Sequence, residues 1–275
     1  SNCGSELFNS PNFCNECGQK LIKVEIQTSQ KIAFDNNPLI PFKHFDDKTI
    51  KEGYIDYKGN WVIQPQFDEL GDFGEDEICE ASINEKWGFI DKKGNWVIQP
   101  QFDELYGFGE DEICEVSINE KCGFIDKKGN WVIQPQFDEL GDFGEDEICE
   151  ASINEKWGFI DKKGNWVIQP QFDELYGFDE KNQIYKVSIN EKWGFIDKKG
   201  NWVIQPQFDK LDYFSEDEIC EASINEKWGF IDKKGNWVIQ PQFDKLHYII
   251  ENDICSASIN EKWGFIDKKG NWVIQ

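Results

Sequence analysis

Three cysteines open the chain at a spacing that suits a metal: Cys3 ahead of Gly4, and Cys14-Asn15-Glu16-Cys17 ahead of Gly18. Thiolates two residues apart can grip one soft cation, and a glycine behind them lets the backbone turn beneath it. The other cysteines follow a different logic. Cys79, Cys114, Cys149, Cys220 and Cys255 recur at one periodic position, which Tyr185 takes once. A position that accepts tyrosine is a packing position, where cysteine acts as a small apolar residue. Cys122 stands where other segments carry tryptophan, again a packing role. Nine cysteines without a pairing scheme point to a reducing compartment, and we expect the cytoplasm.

Acid–base chemistry has less to work with. His44 and His247 are the two histidines, and they do not occupy equivalent positions. No nucleophile, base and orienting group stand together, so no enzyme is expected. Asp142, Glu145, Asp146 and Glu147 could offer oxygens to calcium, but they lack the alternating ligands and central glycine of a calcium loop. A solvated acidic face is expected there instead. Lys plus Arg number 29 against 53 Asp plus Glu, a net charge of −24. Such a chain repels phosphate backbones and anionic membranes. A hydrophobic share of 39% with 15% aromatics supports a core. No apolar run approaches the roughly 20 residues of a membrane span, and no signal-peptide pattern opens the chain. The sequence contains no Met, and we expect it to be a piece of a longer protein.

The elements that must position these residues repeat. Gly-Asn-Trp-Val-Ile-Gln recurs with its tryptophan at Trp61, Trp96, Trp131, Trp166, Trp202, Trp237 and Trp272, a step of 35 residues with one step of 36. The extra residue falls between Phe178 and Ile184, where a surface loop is expected. One unit reads from Gly123 to Trp157; six run from Gly53 to Trp263, and a half unit follows to Gln275. The chain stops in mid-repeat, so further repeat sequence is expected beyond it.

Within a unit, Lys156 to Asp161 reads as a strand, and Lys162-Lys163-Gly164 as a tight turn with a bulge and a left-handed glycine. Asn165 to Gln169 forms the next strand, which Pro170 is expected to end. Upstream, Cys149, Ala151 and Ile153 share one face of a strand, while Glu150 and Ser152 share the other. Asn154-Glu155-Lys156 makes a second turn. The result is a three-stranded antiparallel meander, with a short fourth strand in the connection through Phe172, Leu175 and Phe178. One meander cannot bury both faces, so the fold is expected to be all-β, with stacked repeats and negligible helix. A propeller-like ring is favoured over an open β-solenoid or superhelix. Both tryptophan series, Trp157 and Trp166 among them, are expected to be mostly buried. The competing reading is a row of exposed rings stacking on sugars.

The Trp-Gly pairs at Trp87, Trp157, Trp193, Trp228 and Trp263, each followed by Phe-Ile-Asp-Lys-Lys-Gly and then Trp-Val-Ile-Gln, resemble the bacterial WG-repeat (KWG-repeat) family. Cys122 replaces the tryptophan once, and Tyr54 follows Gly53 in a less regular first copy. The resemblance covers about residues 40 to 275 and implies a repeat module without a shared catalytic activity. Cys14 to Gly18 resembles the second knuckle of a bacterial zinc ribbon, and Cys3-Gly4 the second half of a first knuckle. That likeness implies a structural zinc held by Cys3, Cys14 and Cys17, with a fourth ligand that would precede Ser1. The plain alternative is a tail of unpaired thiols.

The expected organisation is a zinc-ribbon-like segment over 1–21, a linker over 22–37 and the repeat array over 38–275. The expected function is a non-enzymatic scaffold that binds a protein partner multivalently. Its acidity favours a basic partner and disfavours nucleic acid and membrane. Carbohydrate or cell-wall binding, and a passive spacer between flanking domains, are the alternatives.

Overall fold

A computed structural model describes residues 39–45, 49–74, 77–109, 111–144, 147–248 and 254–274. The array, Leu39–Gln275, is one compact unit. The zinc-ribbon expectation at Cys3, Cys14 and Cys17, and the linker over 22–37, lie outside the described residues.

The described residues form seven antiparallel sheets, one of three strands and six of four, each built from strands consecutive in sequence. They contain no helix. We number the sheets in chain order: 40–67, 69–102, 104–137, 139–172, 174–208, 210–243 and 245–274. In the fourth sheet the strands are Glu139–Leu140, Ile148–Ile153, Lys156–Asp161 and Trp166–Phe172. The expected meander is present, and the fourth strand joins it as the leading edge. That edge is two residues long in the second, fourth and sixth sheets and longer in the third, fifth and seventh.

Turn chemistry sets the register. Asn154 and Glu155 both take positive φ, 52° and 61°, closing a two-residue hairpin whose twist matches its strands. In the next turn Asp161 accepts the backbone N–H groups of Lys163 and Asn165, each at 2.9 Å, while Gly164 has φ 78°. An aspartate bonding its own turn in this way replaces backbone partners that the ladder cannot supply.

A bulge interrupts the last strand pair, with register shifts on either side of Phe159. A Cβ on Gly158 would lie 2.4 Å from the carbonyl oxygen of Ile168 and 2.9 Å from the nitrogen of Pro170. Glycine is therefore required by this close approach. It also corrects the expectation for Pro170, which does not end the strand. Trp166–Phe172 runs through it, because the bulge is where a missing N–H costs no ladder bond.

Both faces of an internal sheet are covered. Phe159, Ile168 and Phe172 of the fourth sheet pack against Tyr185, Val187 and Ile196 of the fifth. Cys149, Ala151 and Ile160 of the fourth pack against Phe124, Ile133 and Phe137 of the third. Ser152, on the face opposite Cys149 and Ala151, is buried as well. Six clusters of this kind join successive sheets, and none joins the first sheet to the last among the described residues. The outer faces of those two sheets stay open, with Phe42 50% and Ile274 60% exposed.

The inserted residue between Phe178 and Ile184 sits in the hairpin joining the first two strands of the fifth sheet. Gln183 N–H donates to the Asp179 carbonyl at 2.7 Å, and Asn182 Nδ2 to the Asp179 carboxylate at 2.8 Å, so the loop is closed by its own polar groups.

Candidate functional site

The tryptophans do not form the deep core. Trp157 and Trp166 are half-buried, and Trp263 is 49% exposed. The fully buried rings are phenylalanines and one tyrosine: Phe67, Phe102, Phe137, Phe172, Phe208 and Phe243 in one column, and Tyr54, Phe89, Phe159, Phe195 and Phe230 in another. From the second sheet on, each tryptophan of the last-strand series leans edge-on against a phenylalanine of the preceding sheet. Phe137 and Trp166 are T-shaped at 5.4 Å, and Phe172 and Trp202 at 6.0 Å. The large indole therefore seals the rim of an interface whose centre is filled by phenylalanine and isoleucine. Sequence pattern could not separate these roles, because both residue types recur with the same period.

The periodic cysteines are buried as expected, with Tyr185 in the same core role. Burial pushes the thiols of Cys79, Cys114 and Cys149 up to about 12, so they stay protonated. Cys122 is half-buried, and burial also raises it to about 12. Glu52 holds the tryptophan position in the first sheet, where it pairs with Lys43 at 2.8 Å and accepts the Leu70 N–H at 3.1 Å.

The histidines do not meet. His44 lies against Trp61 in the first sheet, while His247 stacks on Trp263 in the seventh at 5.7 Å. Among the described residues no group of three or more His, Cys, Asp or Glu could hold a metal ion.

The acidic loops meet lysine turns both within a sheet and across to the next, where Lys162 of the fourth sheet pairs with Asp111 of the third at 3.1 Å and Lys268 of the seventh with Asp217 of the sixth at 3.5 Å. Glu112 pairs with Lys127 at 3.3 Å and Glu147 with Lys162 at 3.8 Å. The second lysine of each turn is left over. Lys93, Lys128, Lys163, Lys199, Lys234 and Lys269 are exposed, and none has an ion pair among the described residues. Beside each turn, the last strand points one valine and two glutamines outward: Val97, Gln99 and Gln101 in the second sheet, Val167, Gln169 and Gln171 in the fourth.

A second column runs along the second strands. Glu80, Glu115, Glu150 and Glu221 occupy one position and are half-buried. Burial lifts Glu115 and Glu221 to about 7, and Asp142 and Asp212 respectively reinforce the rise. Lys186 replaces glutamate there in the fifth sheet.

Three cavities open beside these columns. One of 620 Å³ is lined by Glu52, Asp68, Glu69 and Asp72 with Lys43. Another of 620 Å³ is lined by Asp111, Glu115 and Asp142 with Tyr106, Phe108 and Phe124. A third, of 330 Å³, is lined by Tyr176, Lys186, Trp193, Lys210, Leu211, Asp212 and Trp228.

A family model described as WG containing repeat matches residues 53–87, 87–122, 123–157, 157–193, 193–228, 228–263 and 263–275. The chain matches no curated protein. Among solved structures it is similar to a eukaryotic initiation factor, with 10% identity over 86% of this chain and 73% of that one, at a TM-score of 0.40. It is also similar to Hsv2p of Kluyveromyces lactis, with 8% identity over 72% and 74%, at a TM-score of 0.35. Apo AztD of Citrobacter koseri is similar with 11% identity over 80% and 76%, at a TM-score of 0.32.

Proposed function

The chain belongs to the WG-containing repeat family, and from that premise we propose that it is a non-enzymatic scaffold binding a protein partner through many equivalent sites. One observation carries this reading. Successive sheets present the same exposed set: an unpaired lysine at the turn, then one valine and two glutamines on the last strand. A set repeated at every sheet gains from avidity when the partner also repeats, even if each contact is weak. The net charge of −24 favours a basic partner and predicts weaker binding as salt rises. Buried, unpaired thiols suit a reducing compartment, and the cytoplasm is part of this reading.

The test is affinity capture on the intact chain and on variants with lysine at Val132, at Val132 and Val167, and at Val132, Val167 and Val203. The captured protein is identified, and its affinity for each variant is measured. Affinity should fall stepwise with the number of altered sheets. Complete loss at the first substitution, or no change at the third, would contradict multivalent binding.

A carbohydrate reading draws support from the half-exposed Trp263 ring. Retention on a polysaccharide column, abolished by free sugar, would favour it. The cysteine-rich start is read as a structural zinc module using Cys3, Cys14 and Cys17. Elemental analysis of the intact chain, before and after thiol blocking, measures that metal directly, and equal zinc in both samples would reject it.

A further inference from the structure

We propose that the 330 Å³ cavity between the fifth and sixth sheets binds a small carboxylate whose six-membered ring, aromatic or sugar, can lie against an aromatic face. Its lining differs from the repeat pattern at two positions of opposite charge. Lys186 stands where Glu80, Glu115, Glu150 and Glu221 stand in other sheets. Lys210 stands where Glu69, Glu104, Glu139 and Glu174 stand, a replacement shared by Lys245 in the seventh sheet. The two reversals come from neighbouring sheets and meet in one cavity. In a chain of net charge −24, the lining there carries two ammonium groups against the single carboxylate of Asp212. The two larger cavities have the opposite balance.

The surroundings of Lys186 point to what is wanted. Its Nζ lies 4.9 Å from the Trp193 ring centre, 5.1 Å from Tyr176 and 5.4 Å from Tyr213. The ammonium is half-buried among aromatic faces and has no hydrogen bond or ion pair among the described residues. Burial lowers its pKa, with Asp212 and Glu174 opposing that only through their charge. A half-buried cation whose close neighbours are rings gains when an anion reaches it, because a charge-assisted hydrogen bond replaces lost hydration. Lys210 lies 6.0 Å from the Trp228 ring centre and supplies a second positive group at the mouth. Trp193, Trp228 and Tyr176 then offer flat apolar walls to the rest of the ligand. The volume suits one ring and its acid group. An aromatic acid and a uronic acid share this chemistry.

The experiment titrates the full chain with benzoate, glucuronate and acetate, read by calorimetry and tryptophan fluorescence. Saturable binding of benzoate or glucuronate is expected, with acetate at least about tenfold weaker, equivalent to about 1.4 kcal/mol. Benzoate without glucuronate identifies an aromatic acid; the reverse identifies a sugar acid. K186E and K210E restore the residue found in other sheets, so both are compatible with the fold. K186E should weaken binding at least about tenfold and K210E several-fold. K186Q, with circular dichroism on each variant, separates lost charge from lost folding. No saturable binding by any probe, acetate equal to the ringed acids, or unchanged affinity in folded K186E and K186Q would each overturn the proposal.

Discussion

The Oδ2 atom of Asp138 accepts the backbone N–H of Asn154 at 2.6 Å, joining the end of the third sheet to a hairpin of the fourth. The same carboxylate pairs through Oδ1 with Lys121 of the third sheet. Asp68, Asp103, Asp173, Asp209 and Asp244 repeat the arrangement with Asn84, Asn119, Asn190, Asn225 and Asn260. Every boundary between sheets therefore carries one ionised staple beside its apolar core.

The staples set the acid limit of the fold. The lysine hydrogen bond, Lys121 for Asp138, holds each of these carboxyls below the ordinary value. A depressed folded pKa stabilises above the unfolded pKa of about 3.9, and that contribution is lost as pH falls through the folded value. The staples' contribution to the urea midpoint should hold steady to about pH 4 and drop steeply below it. D138N should lower stability at pH 7 and flatten that drop. An unchanged acid profile in D138N would remove the staple from the explanation.

Glu115 and Glu221 act in the opposite direction. Burial raises both to about 7, so the folded state holds their protons longer than the unfolded chain does. Their contribution is complete below an unfolded pKa of about 4.3 and is lost as pH rises toward about 7. E115Q and E221Q should gain stability relative to the parent at pH 8 and little at pH 4. Denaturation curves at the two pH values check this, and equal differences at both would contradict it.

The ring roles separate in a mutant pair. Phe172 is 1% exposed at the centre of an interface, and F172A should cost about 3–5 kcal/mol. Trp166 is half-buried at a rim, and W166A should cost less, about 1–3 kcal/mol. Calorimetric unfolding of both variants gives the comparison; a larger loss for W166A would restore tryptophan to the core.

Gly158 tests the bulge. G158A would place a methyl group 2.4 Å from the Ile168 carbonyl oxygen, against backbone that cannot swing away. A loss of about 1–3 kcal/mol is expected, from overpacking alone. G144A, where a Cβ would meet nothing within 4 Å, is the control and should change little.

Much of this was legible in the residues. Alternation in Ile148–Ile153 and the Asp161 to Gly164 turn specified strand and hairpin locally, because side-chain period and turn chemistry act within a few residues. The packing role of Cys149 was legible from Tyr185 at the equivalent position. The Pro170 bulge was not, since it depends on Gly158 in another strand. Nor was the rim position of Trp166, which depends on Phe137 in another sheet.

By itself the sequence determined the period, the strands and turns within each unit, and the acidic balance, all of which are local or additive properties. It did not determine the phase. The unit from Gly123 to Trp157 straddles two sheets, 104–137 and 139–172, because strand pairing and not sequence identity decides where a sheet closes. Tertiary structure also decided which aromatic fills each interface, and that Lys186 and Lys210, 24 residues apart, share one cavity. Those outcomes depend on which faces meet when sheets stack, and a one-dimensional period carries no record of that.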